Sequence, residues 1–275
     1  DTLNEGPLWD RDTHDSFERE RLLQVGHDLL ERDFLDVFSL TSELGQVRGL
    51  AFVLARPAHS GSSQSHRAFL KGMFLADDVH NLLPDWAFFV QCLVNVNDLR
   101  PTASRESFYE DAKFAATQDE LGQCLRHYLL DLSRNDPSRF QQFIGIHHVS
   151  IKALAVEDDE CLRIFADWLP FETSAGTMTL GEFRRQHPVI RYVRKQDQFR
   201  QISQIAAAES FAIVNAGHQY DAEILERLPN VIDVRVEEFD SEELSDRFDP
   251  LDLDERDRVA DRKSTRLNSS HTSIS

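Results

Sequence analysis

Apolar residues near the start of the chain recur every three to four positions and are followed by two apolar runs. The first pattern predicts a helix from Ser16 to about Arg32. The near-continuous run from Arg48 to Ala55 is typical of an interior strand, and Arg67 to Leu75 alternates as a second strand would. Residues 57–65 between them are rich in Gly and Ser, so they predict a loop.

A later stretch combines a proline, an apolar run and a polar loop. Pro84 suits the first turn of a helix, because its missing N–H would have no partner there. The apolar run continues through residues 87–94 and the polar loop through residues 95–103. Ser104 is a favourable N-cap, so we predict that it begins the next helix and that helices stand on both sides of the loop.

These signals place Arg105 in the first turn of a helix. A cation is unfavourable there, because the helix dipole is positive at its N-terminus. The simplest interpretation is a solvated Arg105 that pairs with Glu106, or with Glu110 or Asp111 about one turn further on. Spacing alone favours that interpretation over a functional role.

Helical periodicity returns in three successive segments that are separated by Pro breaks. The predicted helices cover Thr117 to Ser133, Pro137 to about Ile151 and Asp158 to Trp168. We therefore predict a short helical connector over residues 135–170. It would follow a large α/β lobe over residues 1–134, of which the first 14 are the end of a linker.

Strand and helix patterns alternate in residues 171–248, which predicts a small βαβαβ lobe with a parallel sheet. The predicted fold class is thus α/β, with two α/β sandwich lobes joined by the helical connector. The predicted strands are Val189 to Val193, Phe211 to Val214 and Val231 to Val236, and the predicted helices are Gln196 to Ala208 and Asp221 to Arg227.

Composition and charge narrow the class of protein. Of the 275 residues, 41% are apolar and 28% are charged, which is typical of a globular chain. The net charge of −18 argues against nucleic-acid binding, which needs a basic face. No apolar run approaches the length that spans a bilayer, so no membrane partner is expected. The three cysteines stand far apart in apolar contexts, which predicts buried free thiols in a reducing cytoplasm.

The two ends of the chain are unlike the rest. The chain begins at Asp1 rather than Met, which predicts a fragment or a protein whose true start is missing. Residues 249–261 are acidic and lack an apolar period. Residues 262–275 are basic, rich in Ser and Thr, and resemble peptides appended by vector sequence, so they are predicted to be non-native; a genuine disordered tail is the alternative.

Several common catalytic patterns are missing from the sequence. Neither a G-x-x-x-x-G-K-[ST] nor a G-x-G-x-x-G motif occurs, so this chain is not expected to hold a nucleotide by itself. His147 and His148 are adjacent and have no third ligand at metal-binding spacing, which predicts no metal site. No Ser stands in a G-x-S-x-G elbow.

Three linked motifs resemble the middle domain of the heat-shock protein 90 (HtpG-type) chaperones. Residues 74–78 match the family's Phe-hydrophobic-x-Asp-Asp/Glu, and residues 83–90 match hydrophobic-Pro-x-Trp/Tyr-x-x-Phe-Val. Residues 98–99 and 104–106 match the two ends of Asp-Leu-Pro-Leu-Asn-x-Ser-Arg-Glu, with no gap in the spacing. Weaker similarity covers about residues 4–248 and suggests a divergent bacterial branch.

The resemblance implies an ATP-dependent chaperone that binds unfolded or partly folded client proteins in the cytoplasm. In this family a separate N-terminal domain binds ATP and Mg²⁺, and one Arg of the middle domain contacts the γ-phosphate after domain closure. That Arg matches Arg105, which would act as an arginine finger. The full-length protein would be a homodimer through a part outside this chain, and the fragment alone would be inactive as an ATPase.

The chain departs from the family at a second phosphate-facing position. Tyr109 stands where family members usually carry Gln, and residues 101–103 replace the usual Leu-Asn before Ser104. Three aromatic residues, Trp9, Phe74 and Trp86, are most simply core residues. If they are exposed, they could contact clients or a neighbouring domain, because aromatic side chains carry much interface energy.

Two other hypotheses remain open. The first is an interaction scaffold with the same fold but without catalysis, which Tyr109 suggests. The second is an unrelated α/β enzyme with a ligand pocket at the carboxyl ends of its strands, near Val193, Val214 and Val236.

Overall fold

The computed structural model describes residues 7–11, 13, 15–58, 65–104, 107–208 and 211–239. In these ranges the chain forms two five-stranded sheets with helices between them, which confirms the predicted α/β class. The strands are β1 (Phe34–Ser42), β2 (Val47–Leu54), β3 (His66–Leu70), β4 (Met73–Val79), β5 (Val90–Val96), β6 (Pro170–Thr173), β7 (Gly176–Thr179), β8 (Val189–Val193), β9 (Val214–Asn215) and β10 (Arg235–Glu238). The helices are α1 (Ser16–Leu30), α2 (Ala112–Asn135), α3 (Pro137–Glu157), α4 (Asp159–Phe165), α5 (Leu180–Gln186), α6 (Gln196–Ala208) and α7 (Asp221–Val231). Residues 249–275, predicted to be an acidic segment and a non-native tail, lie outside the described residues.

The first sheet has the strand order β1-β2-β5-β3-β4, and β3 and β5 run parallel while the other pairs are antiparallel. Leu22 of α1 packs with Phe52 on one face of this sheet. Leu121 of α2 belongs to a separate core cluster with Val53, on the other side of strand β2. A Cβ at Gly26 would lie 2.5 Å from the Phe52 ring, so α1 can approach the sheet closely only because Gly stands there.

The sequence pattern misses β1, because polar residues interrupt its apolar positions. Asp36 in this strand is only 4% exposed. Its carboxylate accepts a hydrogen bond from the Tyr128 hydroxyl of α2 at 2.5 Å and pairs with Arg139 of α3. Buried carboxylates need such partners, which are distant in sequence, so a local pattern could not predict this strand.

The helix predicted to start at Pro84 is wrong. Pro84 precedes a 3-10 helix of one turn, Asp85–Ala87, and the apolar run then forms strand β5 in the middle of the sheet. Every residue of β5 is buried, since neighbouring strands flank it and both of its faces are covered. A strand buried on both faces has no alternating pattern, so a short apolar run cannot distinguish it from a helix.

The single strand predicted from Arg67 to Leu75 is two strands. The chain turns at Lys71 and Gly72, whose φ angles are 52° and 79°, and pairs β3 with β4 as an antiparallel hairpin. Gly is favoured at the second of these positions, because a left-handed backbone costs it little. The resulting hairpin forms the edge of the first sheet.

The three helices predicted before residue 170 are confirmed as α2, α3 and α4, the last continuing as the 3-10 helix Ala166–Trp168. Helix α3 is kinked at His147, where φ is −115° and ψ is 19°. The His147 Nε2 lies 2.7 Å from the Leu54 carbonyl oxygen at the end of β2. This bond gives a buried carbonyl a donor, so His147 ties α3 to the first sheet.

Two buried histidines should make the folded state sensitive to acid. Burial lowers the pKa of both His66 and His147 to about 4. Between the unfolded pKa of about 6.5 and the folded value, only the unfolded state takes up these protons. Stability is therefore complete above about pH 6.5, and we expect the free energy of unfolding to fall by about 1.4 kcal/mol per pH unit for each residue towards pH 4.

Urea unfolding of this chain between pH 8 and pH 4.5 measures this dependence. His147→Gln, which removes one titrating group and keeps an N–H donor for Leu54, should reduce the slope by about 1.4 kcal/mol per pH unit. An identical slope in the variant would show that burial of His147 does not set the acid sensitivity.

The second sheet has the strand order β10-β8-β9-β6-β7. Strands β10, β8 and β9 run parallel, and helices α6 and α7 lie between them in sequence, as the βαβαβ pattern predicts. The pattern missed β6 and β7, an antiparallel hairpin whose strands are joined by residues 174–175. These strands have four residues each, too few to show a period of two.

A buried ion pair connects the two halves of the fold. Lys152 of α3 donates to the Asp221 carboxylate of α7 at 2.6 Å, and the two side chains are 5% and 1% exposed. The Lys152 ammonium also lies 4.2 Å from the centre of the Phe171 ring in β6. Helix α3 therefore contacts the first sheet through His147, and helix α7 and the second sheet through Lys152.

Candidate functional site

The loop that carries Arg105 leaves the first sheet at the end of β5 and is fixed to the β1–β2 turn. The Asn97 N–H donates to the Gln46 carbonyl at 3.2 Å, and the Asp98 N–H donates to the Gly45 carbonyl at 3.1 Å. The Asp98 carboxylate pairs with Lys113 in the first turn of α2. The start of the loop is therefore held from two sides.

Two segments of this loop pair with each other like the legs of a small hairpin. The Thr102 N–H donates to the Ser107 carbonyl at 2.8 Å, and the Tyr109 N–H donates to the Arg100 carbonyl at 2.9 Å. Between these bonds, residues 101 and 108 form an antiparallel bridge. Phe108 is 3% exposed and belongs to the hydrophobic core, which anchors the second leg.

Ser104 does not begin a helix, so its predicted role as an N-cap is wrong. The next helix starts at Ala112, and the Asp111 carboxylate caps it by accepting from the N–H groups of Lys113 and Phe114. The Ser104 hydroxyl instead lies 3.2 Å from that of Thr102. Residues 101 and 108 pair instead as an antiparallel bridge, and the helix begins only after this bridge, with Asp111 as its N-cap.

Arg105 and Glu106 lie outside the described residues, so the predicted γ-phosphate contact stays a prediction. The described residues on either side, Ser104 and Ser107, belong to the two paired legs. The candidate site is therefore this two-legged segment, residues 100–109, which we call the Arg105 loop.

Tyr109, at the family's usual Gln position, is 48% exposed. Its ring lies under the guanidinium of Arg100, with 5.4 Å between the guanidinium carbon and the ring centre. Sequence reasoning missed Arg100. The family pattern Asp-Leu-Pro could have drawn attention to Arg100, because Arg100 takes the place of Pro in this pattern.

Two exposed apolar residues follow the β3–β4 turn. The β3–β4 turn is fixed to the end of β5, because Lys71 N–H donates to the Val96 carbonyl at 3.0 Å and Gly72 N–H to Asn95 Oδ1 at 2.7 Å. Directly after this turn, Met73 and Phe74 are 68% and 57% exposed. Phe74 thus lies at the end of β5 from which the Arg105 loop leaves, but on the face of the sheet that α1 covers, because it contacts Phe69 of that cluster. Phe108 of the loop packs on the opposite face, in the cluster that includes Leu121 of α2.

The three aromatic candidates have different environments. Phe74 contacts Phe69 at 5.9 Å between ring centres, and Phe69 contacts Trp9 at 5.5 Å. Trp9 is half-buried, whereas Trp86 is 6% exposed and belongs to the core. The core interpretation is therefore correct for Trp86 and wrong for Phe74, and Trp86 offers no surface for a client or domain contact.

Other candidate chemistry does not assemble in the described part of the chain. No group of three or more His, Cys, Asp or Glu side chains is placed to hold a metal ion there. Burial raises the pKa of the Cys92 and Cys161 thiols, so both are protonated and inert, while Cys124 is half-buried. None of the described helices is both long enough and apolar enough to cross a bilayer.

Comparison with known proteins gives consistent matches. The family model described as "Hsp90 protein" matches residues 54–268. The chaperone protein HtpG of Streptomyces coelicolor is 28% identical over 152 residues, which cover 52% of this chain and 24% of that protein. HtpG of Idiomarina loihiensis is 25% identical over 182 residues, covering 63% of this chain and 28% of that protein.

A solved structure with a similar fold is the middle domain of a heat shock protein from Plasmodium falciparum. It is 12% identical, with a TM-score of 0.57, and the alignment covers 84% of this chain and 98% of that domain. The alignments with the two HtpG proteins span about a quarter of the length of those relatives, 24% and 28%.

Proposed function

Because the chain belongs to the heat-shock protein 90 family and has the fold of that family's middle domain, we propose that it supplies Arg105 to ATP hydrolysis in a separate N-terminal domain. ATP and Mg²⁺ would bind to that N-terminal domain. The whole protein would be a cytoplasmic, homodimeric chaperone of the HtpG type that binds unfolded or partly folded clients.

The anchoring of the Arg105 loop is the observation that supports this proposal most strongly. An arginine finger must arrive at the phosphate in a fixed geometry, because it stabilises charge that develops only in the transition state. Backbone hydrogen bonds join the two legs of the loop, and Phe108 holds the second leg in the core. The base of the loop is thus fixed to itself and to the core, as the presentation of a side chain requires.

The exposed Phe74 offers a contact for a second domain. It is 57% exposed after the β3–β4 turn, and exposed apolar side chains can mark interaction sites. An ATP-binding domain would bring its nucleotide to Arg105 only in the closed state. Hydrolysis would then depend on domain closure. Trp9, half-buried behind Phe69, remains a candidate for client contact.

A non-catalytic scaffold with the same fold is the second candidate function. The exposed Tyr109 favours it, since a phenol replaces the usual phosphate-facing Gln. The third hypothesis, an unrelated α/β enzyme, is ruled out by membership of the family.

ATP turnover by the protein of native length, wild type against Arg105→Ala, tests the proposal. Loss of turnover with nucleotide affinity retained would support an ATP-dependent chaperone that uses Arg105. Unchanged turnover, or no turnover in the wild type, would contradict the catalytic role and favour the scaffold.

A further inference from the structure

A side-chain contact joins the two legs of the Arg105 loop in addition to the backbone bonds. The Arg100 guanidinium carbon is 5.4 Å from the centre of the Tyr109 ring, within the range of a cation–π interaction. The same two residues are bonded through their backbones, Tyr109 N–H to Arg100 carbonyl, at 2.9 Å. The contact therefore spans the base of the loop, one leg against the other.

Both partners are departures from the family pattern quoted above. Arg100 takes the place of a Pro, which has no cation, and Tyr109 takes the place of a Gln, which has no aromatic face. The contact exists only because both departures occur together, since either family residue would remove it. The exposed Tyr109 has one hydroxyl donor where a Gln amide has two N–H donors, so the two side chains are not equivalent.

We propose that Arg100 and Tyr109 form a positioning pair, which holds the Arg105 loop in the geometry that ATP hydrolysis needs. This inference rests on the function proposed above. The pair acts by holding the two legs together rather than by touching the phosphate. Misplacing a catalytic group by about 1 Å can lower the rate of an enzyme roughly 10²-fold. Even a weak contact at the base of the loop therefore affects turnover.

A double-mutant cycle in the protein of native length tests the pair. The variants are Arg100→Met, Tyr109→Leu and the double variant, with kcat and KM for ATP measured for each. An exposed cation–π contact is worth about 0.5–1 kcal/mol, or about twofold to fivefold in rate. Each single variant should lower kcat by about that factor with KM unchanged, and the double variant should be no slower than the slower single variant.

Tyr109→Phe is the matched control, because it keeps the ring and loses only the hydroxyl. Its kcat should be reduced less than that of Tyr109→Leu, and hydrogen exchange of the Thr102 and Tyr109 amides should be faster in Arg100→Met and Tyr109→Leu than in wild type. The proposal is overturned if the two single effects multiply in the double variant, or if Tyr109→Phe is as slow as Tyr109→Leu. The latter result would mean that the hydroxyl acts directly.

Arg105→Ala, measured alongside, separates this inference from the proposed function. If Arg105→Ala loses turnover while the cycle shows no coupling, the positioning pair alone is wrong. If Arg105→Ala leaves turnover unchanged, the proposed function and the positioning pair are both wrong.

Discussion

Arg105→Ala is expected to lower kcat for ATP hydrolysis by about 10³-fold or more and to leave the Kd for ATP nearly unchanged. The guanidinium would meet the phosphate only after domain closure, so its loss removes an interaction of the transition state and not of ground-state binding. Steady-state turnover and equilibrium nucleotide binding, both with the protein of native length, provide the two values.

Two further variants test whether the loss of turnover is specific to the guanidinium of Arg105. Arg105→Lys keeps the charge but not the planar fork, so it should recover only part of the lost rate. Arg134→Ala removes an Arg of the last turn of α2, away from the loop, and should retain wild-type turnover. A parallel loss of ATP affinity in Arg105→Ala would instead place this residue in ground-state binding.

Lys152→Met is expected to lower the free energy of unfolding by about 3–5 kcal/mol, because it leaves the Asp221 carboxylate buried without its cation. One oxygen of this carboxylate already has no hydrogen-bond partner among the described residues. Burial raises the pKa of Asp221 and lowers that of Lys152, while their mutual attraction opposes both shifts. Chemical denaturation at pH 7 measures the loss.

The pH dependence of the stability loss and a double variant test whether the unpaired buried charge causes the loss. Without Lys152 the pKa of Asp221 should rise further. The difference in unfolding free energy between wild type and Lys152→Met should therefore shrink as the pH falls and the carboxyl becomes neutral. Replacing both partners, Lys152→Met with Asp221→Leu, should restore most of the stability, since two apolar side chains need no charge compensation. A double variant as unstable as Lys152→Met would attribute the loss to packing around Phe171 instead of to charge.

Clear periodicity made much of the helical structure predictable. The predicted helix from Gln196 to Ala208 has the observed bounds, and the helix predicted from Ser16 begins at the observed residue. Strands were harder. Residues 87–94 were assigned in part to a helix, because strand β5 is buried on both faces and shows no alternating pattern. Strand β1 was missed because it contains the buried Asp36, whose partner Arg139 lies about 100 residues away in sequence.

The candidate site was predictable only in part, for a related reason. Arg105 was identified from three motifs at fixed spacing, which can be recognised without knowledge of the local structure. The local assignment of Ser104 as a cap failed, because pairing between residues 101 and 108 delays the helix to Asp111. The contact between Arg100 and Tyr109 depends on that pairing, so no local pattern could indicate it.

Hydrogen exchange of the Arg105 loop in the protein of native length tests the central claim most directly. Amides of residues 100–109 would be compared with a non-hydrolysable ATP analogue, with ADP and without nucleotide. If the loop docks on the nucleotide domain, its amides should gain protection with the ATP analogue only. Equal exchange in all three states, while the ATP-binding domain itself gains protection from the analogue, would contradict the account.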